Sequence, residues 1–205
     1  MNRRLIDLLA TLERQGREND DRETDRARKM LNLEPETARL LGILARAAKA
    51  TRMLEIGTSN GYSTIHLASA VAETGGKIVS IERNPHRQSM ARANLARAGL
   101  LNYVELRLGE ATAIVGELAG PFDFVFFDAD RTSAPEQVRR LVPKLAPAVL
   151  VLADNALSHP AEIAGYLSEV ESLQGFDHLV VPVGKGLSIA YRGAGHTAET
   201  VGGVE

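Results

Sequence analysis

The sequence predicts an α/β fold: a Rossmann-like, doubly wound and mostly parallel sheet of seven strands, with an antiparallel C-terminal hairpin at one edge. Three observations carry that prediction. Five short β-rich runs alternate with helical stretches from residue 52 onward, the pattern of a parallel sheet covered on both faces. The run "FDFVFFD" reads as a strand buried throughout, yet it leads straight into Asp128, Asp130 and Arg131. The last two β-rich runs, "DHLVVPV" and "LSIAYR", are joined only by "GKG", a glycine-bearing turn too short for a parallel crossover.

Leu5, Ile6, Leu8, Leu9 and Leu12 fall at helical spacing, so residues 3–14 are predicted to form an amphipathic helix with a charged outer face. The polar stretch "RQGRENDDRETDRARK" is expected to be a mobile arm, which sets residues 1–28 apart from a domain at 29–192. A second helix over 35–48 carries Pro35 in its first turn. The regular pattern then begins. "RMLEI" precedes a helix from Tyr62 to Ala72, "KIVSIE" precedes "NPHRQSMARANLARAG", and "YVELRL" precedes "EATAIVGELA". "FDFVFFD" and "AVLVLAD" follow, each with a helical segment behind it, and then the hairpin. Residues 193–205 have no periodicity and are expected to be disordered. The remaining loops are too short to mark a further domain boundary.

A chain of 205 residues suits one core, and 44% hydrophobic with 24% charged residues is ordinary for a soluble protein. No apolar run approaches the roughly 20 residues needed to span a bilayer, and the N-terminus lacks the features of a secretory signal. The absence of cysteine excludes disulfides and thiolate metal sites and makes the cytoplasm the expected location. A formal charge of −2 gives no electrostatic footprint for nucleic acid.

In an open parallel sheet the ligand lies beyond the carboxyl ends of the strands, where the strand order reverses. Those ends are rich in acids and amides: Glu55, Glu82, Gly109 with Glu110, Asp128, and Asp154 with Asn155. The turn "LEIGTSNGYS" holds Gly57, which permits close backbone approach by a ligand, together with Gly61 and, in the first helical turn, Ser63. Ser59 stands where the dinucleotide fingerprint requires glycine, so the signal for a pyrophosphate cradle is poor. Glu82 is suited to accept from ribose hydroxyls and Glu110 from an adenine amino group.

With these residues in place, the chain from Asp25 to Arg192 resembles the class I S-adenosylmethionine-dependent methyltransferases. Within them it resembles the divalent-metal-dependent O-methyltransferases that include catechol and caffeoyl-CoA O-methyltransferases. The anchors are "LEIGTSNGYS", "IERNP", "FDFVFFDAD", "LADNALS" and "VGKGLSIAYR". The resemblance implies that Glu55, Gly57, Ser59 and Ser63 line the methionine end of the cofactor, Glu82 the ribose, and Glu110 with Ala111 the adenine. Gly61, Gly109 and Asp128 complete that wall. It implies a metal held by Asp128, Asp154 and Asn155, hard oxygen donors suited to Mg²⁺ or another divalent cation. Asp130 is expected to support them from behind. "MLNLEP" looks like the segment that covers the family's active site, with Asn32 nearest the metal.

Three residues depart from the family pattern. Arg131 stands where the family has a lysine base, and a guanidinium does not shed its proton at working pH. Its expected role is to hold a phenolate or an acidic substituent, while His159 is a candidate substitute base. Ala134 replaces a frequent tyrosine, and Lys185 replaces a frequent aspartate in the hairpin turn. Lys185 and Arg131 together favour an acceptor with a negative group. The leading expectation is an O-methyltransferase that moves a methyl group from S-adenosylmethionine to a small phenolic or catechol-type hydroxyl, leaving S-adenosylhomocysteine. The alternative is a non-catalytic or regulatory protein that binds the same cofactor. An NAD(P)-dependent oxidoreductase fits poorly, for want of the glycine spacing and of a Tyr-Lys pair. A homodimer is expected, with the apolar face of the first helix as a surface for the partner.

Overall fold

The computed structural model describes residues 3–25 and 28–195. Seven strands form a single sheet: β1 (Arg52–Ile56), β2 (Lys77–Glu82), β3 (Val104–Leu108), β4 (Phe122–Phe127), β5 (Leu145–Ala153), β6 (Asp177–Val181) and β7 (Leu187–Arg192). Their order is β3-β2-β1-β4-β5-β7-β6. The first five strands are parallel. β7 runs antiparallel to β5 and to β6, so the predicted hairpin forms the edge. The chain winds outward from β1 in both directions, and the order reverses between β1 and β4.

Side-chain alternation divides the interior into two layers. Along β4, Phe124 and Phe126 join one core with Met53, Ile78 and Leu152, while Val125 and Phe127 join the other with Leu54, Ile56 and Val151. The first layer is covered by α1 (Arg3–Arg22), α2 (Pro35–Ala47) and α3 (Tyr62–Thr74), with Leu95 of α4 (Pro85–Ala98). The second is covered by α5 (Ala111–Glu117), α6 (Ala134–Leu141) and α7 (Pro160–Glu171). This is the expected doubly wound architecture. Among the described residues no helix is long and apolar enough to cross a membrane. Residues 196–205, the greater part of the tail expected to be disordered, lie outside the described residues.

The first helix corrects the sequence reading, because α1 continues through the supposed arm to Arg22. Its polar turns are braced on the outside by Arg17, which donates to Glu13 at 2.9 Å. On the inside, burial passes from Leu5, Leu8, Leu9 and Leu12 to Gly16. A Cβ at residue 16 would lie 2.3 Å from Asn32 Nδ2, so glycine lets the Asn32 amide sit against the helix where a larger residue would displace it. The apolar face of α1 packs on the chain's own core, which removes the ground for expecting a partner subunit on that face.

Candidate active site

The carboxyl ends of the central strands open into a cleft of about 1030 Å³. Its floor is the turn after β1. Gly57 has φ 107°, and a Cβ there would fall 2.1 Å from the carbonyl oxygen of Asp128. Gly57 and Thr58 both donate to the Ile81 carbonyl, at 3.0 and 3.2 Å, which draws the turn against β2. Ser59, at φ 48°, donates its N–H to Glu82 Oε2 at 2.8 Å. Asn84 N–H donates to Glu82 Oε1 at 2.9 Å, so two backbone amides orient a carboxylate that lines the cleft. Each oxygen keeps acceptor capacity for a further hydroxyl. Gly109, Glu110 and Ala111, at the entrance to α5, line the same wall.

Three residues expected on the cofactor wall are absent from the cleft lining: Glu55, Gly61 and Ser63. Glu55 is 0% exposed and accepts from Ser63 Oγ and Ser80 Oγ, both at 2.6 Å, and from Thr64 Oγ1. Burial lifts its carboxyl to about 7 against the pull of those hydroxyls. The pleat contained this signal: Glu55 alternates with Leu54 and Ile56, so it shares a face with Met53 beneath α3. Gly61 caps the start of α3 in the left-handed conformation at φ 87°, and a Cβ there would also crowd Ala91 of α4 at 3.1 Å, so both backbone and packing favour glycine.

β4 and β5 deliver the acids. Asp128 N–H donates to the Ile56 carbonyl at 2.8 Å, and Asp154 N–H donates to the Phe127 carbonyl at 3.0 Å, which holds the ends of β1, β4 and β5 in step. Asn155 takes the left-handed conformation at φ 66° and donates Nδ2–H to Asp154 Oδ2 at 2.6 Å. Its Oδ1 accepts from Ser158 Oγ at 3.1 Å. Asp154 is 4% exposed, and its Oδ1 is buried without a hydrogen-bond partner. Burial, followed by the charge of Glu34, raises this carboxyl to about 6. The Asp128 carboxyl is pushed well above its ordinary range by burial, then by Asp154 and Glu55. Two buried carboxylates, Asp128 raised in part by the charge of Asp154 and Asp154 with an orphaned oxygen, beside an amide carbonyl make a donor set that fits a hard divalent cation. Among the described residues no group of three or more His, Cys, Asp or Glu is arranged to hold a metal; the third donor here is an amide.

The neighbouring charges differ from expectation. Arg131 donates Nε–H and Nη2–H to Glu162 Oε2 at 3.0 and 2.6 Å, so its charge already has a partner. Lys185 Nζ lies 2.7 Å from Glu34 Oε1 and is likewise paired. The negative group expected on the acceptor therefore loses both of its free cations. Asp130 turns away from the other acids, accepting from Thr132 N–H, Thr132 Oγ1 and Ser133 Oγ at the start of α6. The Ser133 hydroxyl is the main cause of its lowered carboxyl pKa. His159 lines the cleft, with Nδ1 2.8 Å from Ser158 Oγ.

Met30, Leu31 and Asn32 cross the cleft as a strap. Asp20 of α1 accepts from Met30 N–H at 2.6 Å and Leu31 N–H at 2.8 Å, holding Leu31 at φ 49°. Ser59 Oγ donates to the Met30 carbonyl at 2.6 Å, and Arg87 of α4 donates to the Lys29 carbonyl. Asn32, expected nearest the metal, instead donates its amide to the Leu12 carbonyl at 3.1 Å. Glu34 is the residue of this segment whose charge acts on both Asp128 and Asp154. Sequence spacing gave no sign of Glu34, Glu162 or Asp20, because each meets its partner only through the fold.

A family profile described as O-methyltransferase matches residues 11–174. A catechol O-methyltransferase of Niastella koreensis is 35% identical over 131 residues, which cover 62% of this chain and 59% of that protein. A catechol O-methyltransferase of Mycobacterium tuberculosis is 37% identical over 123 residues, covering 60% and 56%. The chain thus spans less than two thirds of the length of these curated relatives. The O-methyltransferase TomG from Streptomyces achromogenes, involved in tomaymycin synthesis and solved in complex with SAM, aligns with a TM-score of 0.76 at 29% identity, over 91% of this chain and 90% of that one. Cofactor-bound Rv0187 from MTB aligns with a TM-score of 0.77 at 28% identity, over 90% and 89%. The profile match runs from within α1 to beyond α7 and takes in the carboxyl ends of β1 to β5 that border the cleft, and on that ground the chain belongs to the O-methyltransferase family.

Proposed function

We propose that the protein is an S-adenosylmethionine-dependent O-methyltransferase acting on a small phenolic or catechol-type hydroxyl with the assistance of a divalent cation such as Mg²⁺. The observation that carries this reading is Asp154 Oδ1, buried and unpaired beside Asp128 on a cleft whose opposite wall presents the oriented carboxylate of Glu82. S-adenosylmethionine supplies the methyl group. Glu82 would accept from the ribose hydroxyls, Glu110 and Ala111 would border the adenine, and Gly57 with Ser59 would let the methionine end approach the backbone. Asp128, Asp154 and Asn155 would hold the cation, which would supply Lewis acidity to the acceptor hydroxyl. Arg131, held by Glu162, borders the acceptor side of the cleft. His159 accepts the hydroxyl proton at Nε2 while Ser158 engages Nδ1. Met30 and Leu31 exclude water from above. In this reading the chain is a homodimer, to be tested by its mass in solution.

The deciding experiment is transfer of labelled methyl from S-adenosylmethionine to catechols and hydroxycinnamoyl compounds, with Mg²⁺ and then with EDTA. Transfer lost in EDTA and in Asp154→Ala is the expected result. Undiminished transfer in EDTA rejects the metal assignment, and cofactor binding with no turnover on any acceptor favours the binding-only alternative.

A further inference from the structure

The cleft carries a lysine that the mechanism leaves unused. Lys185 is the middle residue of the turn between β6 and β7, flanked by Gly184 at φ 56° and Gly186 at φ 91°. The backbone of this turn is fastened to the loop that follows Asn155. The Lys185 carbonyl accepts from Leu157 N–H at 2.9 Å and Ser158 N–H at 3.2 Å, and the Gly186 carbonyl accepts from Ala156 N–H at 2.9 Å. A Cβ at Gly186 would lie 2.7 Å from Leu157 N, and one at Gly184 would lie 2.4 Å from Thr37 Oγ1. Neither flanking position admits a side chain, so Lys185 is fixed against both the Asp154–Asn155 loop and the first turn of α2.

From that mount the half-exposed side chain reaches Glu34 Oε1 at 2.7 Å and lines the same cleft as Asp128 and Asp154. Its charge favours ionisation of both aspartates. Glu34 Oε2 and Asp154 Oδ1 are both buried without hydrogen-bond partners, so acceptors outnumber donors here. We propose that Lys185 is the resident counter-cation of the Glu34, Asp128 and Asp154 cluster, so that a divalent cation binds against its ammonium and is held weakly. The inference rests on the metal reading above. With Lys185 the three carboxylates carry a formal charge of −2, and without it −3. The lysine holds the carboxylates together when no metal is bound, at the expense of affinity for the metal.

The test is Mn²⁺ binding to the full chain by isothermal titration calorimetry, which needs neither acceptor nor turnover. Lys185→Met is expected to bind Mn²⁺ about tenfold more tightly than wild type, the scale of one unit charge acting on a divalent ion near a protein surface. Lys185→Arg, which keeps the charge, should stay within about threefold of wild type on the same scale. Lys77→Met, at the far end of β2, measures the effect of net charge alone, and Asp154→Ala defines binding at this site. If Lys185→Met binds no more tightly, or no more tightly than Lys77→Met, while Asp154→Ala abolishes binding, the counter-cation role is rejected and the metal reading stands. If wild type and Lys185→Met both bind no Mn²⁺, the metal reading fails and this inference falls with it.

Discussion

His66 offers a quantitative test of how α2 and α3 pack, independent of catalysis. The residue is 3% exposed in α3, with both ring nitrogens buried and unpartnered and its ring edge-on to Tyr62 at 5.4 Å between centroids. Burial, then the charges of Arg46 and Arg39, push the imidazole down from 6.5 to about 4. Between these values the unfolded chain binds a proton that the folded chain refuses. A depressed folded pKa means that the contribution is fully present above the unfolded value and is lost as pH falls toward the folded one. The whole span corresponds to about 3 kcal/mol, of which about 2 kcal/mol is gone by pH 5. The buried carboxyls of Glu55, Asp128 and Asp154 are raised and pull the opposite way, so the informative quantity is the difference between two proteins. Urea unfolding of wild type and His66→Leu at pH 7 and pH 5 measures it. The variant should gain about 2 kcal/mol on wild type over that interval. A gain below about 0.5 kcal/mol, the scale of an unperturbed surface site, would refute the claim that this imidazole is buried and unpaired.

The strap and the proposed base give two further predictions. Asp20→Ala removes the acceptor that fixes Met30 N–H and Leu31 N–H, so the Kd for S-adenosylmethionine should rise about tenfold by calorimetry, as expected for losing two hydrogen bonds to a charged group partly offset by release of the strained Leu31. His159→Gln should lower kcat by about 10²- to 10⁴-fold with the cofactor Kd unchanged; an unchanged kcat assigns the proton elsewhere.

Much of this architecture was legible because local and tertiary signals agree. β7 occupies the predicted "LSIAYR", where a glycine turn precedes a β-rich run, and β1 and β2 match their predicted runs. The predicted donors Asp128, Asp154 and Asn155 meet because strand ends converge wherever a parallel sheet forms. The continuation of α1 was hidden because its buried position changes from leucine to Gly16, whose partner comes from the strap. Arg131 and Lys185 read as unpartnered in the sequence because their carboxylates, Glu162 and Glu34, arrive from other elements, and composition does not reveal pairing. Glu55 resembled a ligand-facing acid because it ends a strand, whereas the hydroxyls of Ser63, Thr64 and Ser80 satisfy it from beneath.

The strap has a practical consequence for redesign. It is short, and a relative's segment with different side chains is an obvious choice for altering which acceptors are admitted. The side chains that hold it, however, belong to three separate stretches of sequence: Asp20 in α1, Ser59 in the glycine turn and Arg87 in α4. A transplanted segment therefore arrives without its fastenings, and a chimera must carry these three positions across with it or leave the cleft uncovered.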